Sequence, residues 1–212
     1  MATPATILEA VKRQFPILLH GVGEGFESVL PEITIDAIRE YQDRAGFSGE
    51  LVITADQQAE GGIPLPADWL EKTGAEDAGS TFVTTEVYDK TIPALVAGEP
   101  DTSLAYIKAV PDRYQRAPFK VTYWRDLAAT LEADPQAFET VVIPSNAVTL
   151  IKKYLYLLIA IPNSERLIAA YRGADHPAAE NVVTVDVLME RKTALEIEMD
   201  EQQDFLPPMM IM

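Results

Sequence analysis

The chain contains 212 residues, of which 48% are hydrophobic, and it carries a formal net charge of −16 and no cysteine. Its length is enough to bury one hydrophobic core, so we expect one domain, or one domain with an insertion. The acid excess disfavours electrostatic binding to nucleic acid or anionic membranes, although it suits a surface that DNA slides past. The lack of cysteine excludes disulfides, thiolate zinc sites and cysteine nucleophiles.

Residues 1–20 and the most apolar run of the chain predict neither export nor membrane insertion. Residues 1–20 lack a basic start followed by an unbroken apolar core. The run Leu155–Ile161 has only seven residues, whereas a helix that crosses a bilayer needs about 20. We therefore expect a soluble protein that is intracellular or assembled inside a cell.

The first part of the chain predicts a helical hairpin. Residues 4–15 have helical periodicity, with Thr6 and Glu9 at the spacing of a capping box and Thr3 before Pro4 as the alternative start. The glycine-rich segment 21–25 predicts an interhelical turn, and a second helix follows over residues 33–44.

Residues 50–125 differ in character from the helical hairpin. Short segments rich in β-branched and aromatic residues are separated by glycine, proline and aspartate. These segments are 51–54, 81–88, 104–110 and 119–124. We interpret the region as a small antiparallel β region inserted between helical segments.

The most apolar helical stretch is Pro144–Gly173. Ser145 or Asn146 is expected to cap it, and apolar residues then recur at spacings of three and four. These residues are Val148, Ile151, Leu155, Leu158 and Ile159. Pro162 is expected to end or sharply kink the helix, after which Asn163 and Ser164 would cap a second helix that closes at Gly173.

A last helix is predicted around a seam of residues at the same spacings, in which Lys192 is the polar exception. The seam consists of Val185, Leu188, Lys192, Leu195 and Met199. Residues 182–185 fit a strand equally well. The predicted fold is therefore α+β, with a helical bundle from residues 1–49 and 126–200, an inserted antiparallel β region over 50–125 and an extended C-terminal tail over 201–212.

No residue pattern predicts catalysis, a cofactor or a metal. The loop 21–25 lacks the preceding strand and following lysine of a phosphate loop. His20 and His176 are far apart in sequence, and the place of His176 beside Pro177 favours a loop or capping role. There is no Gly-x-Ser-x-Gly motif, and the 33 acidic residues show no ligand spacing. We therefore expect a protein that is not an enzyme.

Two segments predict contacts with other molecules. One is a basic cluster interleaved with aromatic residues, which could contact nucleic acid but more readily pairs with carboxylates of a partner subunit. Its basic residues are Arg113, Arg116, Lys120 and Arg125. The other is the apolar C-terminal segment, which would suit docking in a groove on another chain, or could fold back on its own core. It consists of Phe205, Leu206, Pro207, Pro208, Met209, Met210, Ile211 and Met212.

Three short motifs resemble those of tailed-phage head-to-tail adaptor (connector) proteins. They are Leu65–Trp69 in the β region, Val121–Leu127, and Tyr154–Pro162 followed by Ser164–Leu167. The resemblance covers roughly residues 30–172. It breaks between Leu127 and Pro144, where the linking segment is longer and lacks the usual Asn-Pro-Thr-Asn-Trp-like text.

This resemblance implies a structural virion protein without catalysis, cofactor or metal. It implies a ring, typically of twelve copies, between the portal and a tail nozzle or tail tube, with DNA passing through the lumen without specific binding. The C-terminal segment would reach the portal, and the basic cluster would meet a neighbour's carboxylates. The protein would lie at the head–tail interface of the virion, assembled in the host cytoplasm.

Two other classes remain open. One is a monomeric or dimeric binding or regulatory module that uses the β region to hold a ligand or peptide. The other is an enzyme that acts through carboxylates alone, such as a tail-associated hydrolase.

Overall fold

The computed structural model describes residues 2–23, 28–53, 63–64, 68, 85–88, 106–109 and 119–202. These residues are mostly helical. The chain divides into two compact units. The first contains Met1–Gly46 and Leu127–Gln203, and the second contains Phe47–Asp126 and Asp204–Met212.

The described part of the first unit is built from helices. They are α1 (Pro4–Lys12), α2 (Leu30–Arg44), α3 (Leu127–Ala133), α4 (Ala137–Thr140), α5 (Ser145–Gly173), a 3₁₀ helix (Pro177–Asn181) and α6 (Val185–Glu201). Helix α5 is the central helix of this unit, because α1, α2 and α6 all pack against it.

Helix α1 begins at the alternative start that the sequence offered. The Thr3 hydroxyl accepts a hydrogen bond from the Thr6 amide at 3.3 Å, and the Thr3 amide donates to the Thr6 hydroxyl at 2.8 Å. This reciprocal pair satisfies two amides of the first turn. The predicted Thr6–Glu9 capping box is therefore wrong, and Glu9 instead pairs with Lys12 at 2.6 Å.

Helix α2 begins at Leu30, three residues before the predicted start. Ile38 and Tyr41 are buried, as their spacing predicts. The buried Gln42 accepts hydrogen bonds through Oε1 from the amides of Leu127 and Ala128, at 2.8 and 3.1 Å. These are free amides at the start of a helix, so a side chain of α2 fixes where α3 begins.

Helix α5 runs through Pro162 without ending, which overturns the prediction that the proline ends it and starts a second helix. Asn163 and Ser164 are buried inside the helix instead of capping a new one. Their side chains bond to Ile17, Leu19, His20 and Val183 on other segments. The expected caps Ser145 and Asn146 are also wrong, because Pro144 occupies the capping position without a side-chain hydrogen bond.

Helix α6 packs antiparallel to α5. Tyr154 bonds to Glu196, and Ser164, later on α5, bonds to Val183 just before α6 begins. Leu188, Leu195 and Met199 of the predicted seam are buried. The ambiguous segment 182–185 is not a strand, since residues 182–184 link the 3₁₀ helix to α6 and Val185 is the first residue of α6.

The described part of the second unit contains short strands. They are β1 (Ser48–Ile53), β2 (Ile63–Pro64), β3 (Thr85–Tyr88), β4 (Tyr106–Ala109) and β5 (Phe119–Trp124). Strand β1 pairs antiparallel with β5, so that Ser48 lies opposite Trp124, and β4 pairs antiparallel with β2 and β3. Most of residues 54–118 lie outside the described residues, so the predicted β insertion stays a prediction.

Gly21 holds the turn that leads from α1 to α2. Its φ of +81° lies in the left-handed region, and a Cβ there would be 2.3 Å from Leu30 Cδ2. Residues 24 and 25 of the predicted turn lie outside the described residues. The backbone conformation therefore favours glycine at position 21, and a Cβ there would also force the Leu30 side chain to shift.

We expect Gly21→Ala to lower the free energy of unfolding by about 1–2 kcal/mol from the left-handed backbone alone, with more from the Leu30 clash. Gly173→Ala is the matched control, because a Cβ at Gly173 would meet nothing within 4 Å. Urea unfolding followed by circular dichroism measures both. Equal stabilities of the two variants would contradict the role assigned to Gly21.

Candidate functional site

A groove of about 500 Å³ opens on the first unit between the end of α1 and the antiparallel pair α5 and α6. Its lining residues come from three segments that are distant in sequence. They are Gln14, Thr149, Lys152, Lys153, Tyr156, Leu157, Arg191, Ala194, Leu195 and Glu198.

The floor of the groove is apolar and well supported. Leu157 and Leu195 are only 4% and 9% exposed, so they present a small apolar surface that is anchored in the core. Tyr156 stacks on Phe15 with ring centroids 4.9 Å apart, which joins α5 to the segment after α1. Aromatic pairs of this kind add to the stability of the contact between the two segments.

The rim of the groove is basic in a chain with a large acid excess. Lys153 lies 3.7 Å from the Glu198 carboxylate. Lys152 and Arg191 make no ion pair with any described residue. The four charged side chains that line the groove therefore sum to +2, with Lys152 and Arg191 available to bind an anion.

A second polar cluster joins α5 to α6 and α2. The Tyr154 hydroxyl donates to Glu196 Oε1 at 3.0 Å, and Lys192 donates to the same oxygen. Lys192 Nζ also lies 5.1 Å from the centre of the Tyr154 ring, and Arg44 Nη2 lies 3.9 Å from Glu196 Oε2. Arg44 is held in turn by Glu40 at 2.6 Å.

The pKa shifts in this cluster are those of charged and polar groups whose hydrogen-bonding capacity is satisfied by each other. Burial raises the pKa of the Tyr154 phenol. Burial alone would raise the pKa of Glu196, but hydrogen bonds from Lys192 and Tyr154 outweigh it and lower that pKa. Burial likewise opposes the charge on Lys192, yet its bond to Glu196 leaves its pKa raised. Because the ionised partners satisfy each other, this cluster explains how Lys192 fits in the seam.

A third cluster fixes the segment between α1 and α2 onto the middle of α5. Asn163 Oδ1 accepts from the amides of Leu19 and His20, at 2.6 and 3.1 Å, and its Nδ2 donates to the Ile17 carbonyl. Arg166 donates to the Leu19 carbonyl at 2.7 Å. His20 Nδ1 is buried without a partner among the described residues.

The predicted site residues are only partly described. Arg125 Nε lies 2.5 Å from Asp68 Oδ2 in the same chain, so this arginine already has an acidic partner. The side chain of Lys120, which lies in β5, and residues Arg113 and Arg116 are outside what the structure describes, as is the segment 205–212. His176 caps the 3₁₀ helix by accepting from the Ala178 amide at 3.1 Å, which confirms the predicted capping role.

Sequence reasoning missed the groove. The available signal was the spacing of Lys152 and Tyr156, four residues apart on a predicted helix, which places both on one face. Within the described ranges, no cluster of three or more His, Cys, Asp or Glu residues could hold a metal. In the same ranges, no helix is long and apolar enough to span a membrane.

Comparison of the chain with protein-family models, with curated proteins and with solved structures finds no match. The resemblance to phage adaptor proteins therefore stays a prediction that rests on short motifs. Any functional proposal depends on the residues of this chain.

We expect His20 to lower the free energy of unfolding as the pH drops from 7.5 to 5.5. Burial, aided by the nearby Arg166 charge, lowers the pKa of His20 below its ordinary value. The unfolded chain then binds a proton more readily than the folded one, so folding is disfavoured once the pH falls below about 6.5.

His20→Gln should reduce this loss of stability, because glutamine does not titrate. His176→Gln removes the other histidine and is the matched control. Melting temperatures at pH 7.5 and 5.5 test the prediction. An unchanged pH dependence in His20→Gln would contradict it.

Proposed function

We propose that this chain is a structural ring-forming adaptor that joins the portal of a tailed phage to its tail, with DNA passing through the ring. The observation that carries the proposal is the groove between α5 and α6, whose basic rim and apolar floor suit docking of a segment from another polypeptide. The short motifs that resemble adaptor proteins support this choice of assembly.

The finer architecture belongs to the same proposal. We infer that residues 50–125 form a small antiparallel β insertion between the helical segments. The antiparallel pairing of β1 with β5, at the two ends of this region, supports the inference. In the ring, this insertion would carry the basic cluster.

The charge of the chain suits a lumen past which DNA moves. A net charge of −16 per copy repels phosphate, provided that the faces between copies pair their charges or stay apolar. Since Arg125 already pairs with Asp68 of its own chain, the proposed contact with a neighbour's carboxylates falls mainly on Arg113, Arg116 and Lys120. The alternative of an enzyme that acts through carboxylates gains no support from the Tyr154–Lys192–Glu196 cluster, because its members are held in hydrogen bonds to each other.

A binding module is the second candidate function, and the groove itself favours it. A volume of about 500 Å³ lies in the range of small-molecule pockets. Such a module would hold an anionic ligand on Lys152 and Arg191 and would not form rings. The state of assembly separates the two candidates.

Charge reversal at Arg113 and Arg116 should weaken assembly, because it places acids against the carboxylates of a neighbour. Light scattering of the double variant Arg113→Glu/Arg116→Glu, alone and mixed with portal protein, measures the effect. Arg172→Glu is the control, since Arg172 is exposed near the end of α5. Assembly that is unchanged in the double variant would count against the proposed interface.

A further inference from the structure

Half of the basic residues of the helical unit pair with described carboxylates, and the two free cations of the groove, Lys152 and Arg191, belong to the other half. This unit has ten basic and nineteen acidic residues, a net charge of −9, so acidic partners are abundant. Lys12, Arg39, Arg44, Lys153 and Lys192 each pair with a carboxylate. Lys152 and Arg191 make no such pair within the described residues, although both line an apolar groove. Because both line the same groove, an anion that enters it could pair with both at once.

The apolar floor restricts which anion fits. Leu157, Ala194 and Leu195 offer nothing to a small inorganic ion, and they favour large apolar side chains. The groove follows the seam of two antiparallel helices and is open to solvent along that seam. An extended peptide with acidic residues next to apolar ones matches both the floor and the rim.

We propose that the groove of one copy binds the C-terminal segment of a second copy. The end of α6 and the segment after it have this composition, since Glu201 closes the helix and Asp204, three residues later, is followed at once by Phe205–Met212. The acids would face Lys152 and Arg191, and Phe205 and Leu206 would pack on Tyr156 and Ala194, which are more exposed than the leucines of the floor. The inference rests on the proposed ring, in which each copy gives a segment to one neighbour and receives one from the other.

This exchange has the symmetry that a ring needs. The groove and the segment are different surfaces, so their contact is heterologous and can repeat from copy to copy until the ring closes. In this contact the groove would also shield the apolar C-terminal segment of eight residues from solvent, which lowers the risk of aggregation. The segment is thereby assigned to a neighbouring copy, whereas the family resemblance alone points to the portal.

Photo-cross-linking of the full 212-residue chain tests the proposal. Phe205 is replaced by p-benzoylphenylalanine, and equal amounts of ¹⁴N- and ¹⁵N-labelled protein are unfolded in urea, mixed and refolded together before irradiation, so that both labels enter the same assemblies. Mass spectrometry should find cross-links from position 205 to peptides that contain Lys152–Leu157 or Arg191–Glu198. Isotopically mixed pairs among them would identify contacts between two copies.

Charge reversal supplies the control for the cross-linking. Lys152→Glu/Arg191→Glu should lower the yield of groove cross-links by about fivefold or more, because it removes two attractions and adds repulsion. Arg172→Glu, which changes an exposed arginine that does not line the groove, should leave the yield unchanged.

Three results would overturn the inference: cross-links only between identical isotopes, cross-links outside the groove, or, with portal added, cross-links to portal alone. Electron microscopy of the same samples tests the ring separately. Rings without groove cross-links would refute the assigned partner and leave the adaptor standing. Groove cross-links between copies that never form rings would support the contact and refute the adaptor.

Discussion

The uninterrupted course of α5 through Pro162 is the constraint on which the rest of the helical unit depends. A proline inside a helix costs about 3 kcal/mol or more, because a hydrogen bond is lost and the ring meets the preceding turn. The turns before it bury Ile151, Leu155 and Ile159 completely. After the proline, the buried Asn163 and Ser164 make four side-chain hydrogen bonds to other segments, each worth about 0.5–1.5 kcal/mol, and together these offset the cost of the proline. One long helix results, against which α1, α2 and α6 can all pack.

Polar side chains on this helix then determine how its neighbours are placed. Asn163, directly after Pro162, holds the segment that contains Leu19 and His20. Tyr154 and Ser164 fix the direction of α6 through bonds to Glu196 and Val183. The groove follows from this arrangement, since it occupies the seam that the antiparallel helices leave open. The fold and the candidate docking surface thus share one cause.

The apolar periodicity of the sequence predicted much of the helical core, including Ile151, Leu155, Leu188 and Met199. The local sequence preferences that predict where a helix ends gave a wrong result where tertiary contacts outweighed them. Pro162 and Asn163 have the composition of a helix end, but the partners of Asn163 lie more than 140 residues away in sequence. The groove was hidden for the same reason, because Gln14, Lys152 and Arg191 meet only after three helices have packed.

Direct imaging of the purified 212-residue chain by electron microscopy, with and without portal protein, tests the central claim. A structural adaptor is expected to form closed rings of uniform copy number with a central channel, and these rings should bind one end of the portal. Particles that remain monomeric or dimeric at every concentration, and that do not associate with portal, would contradict the account.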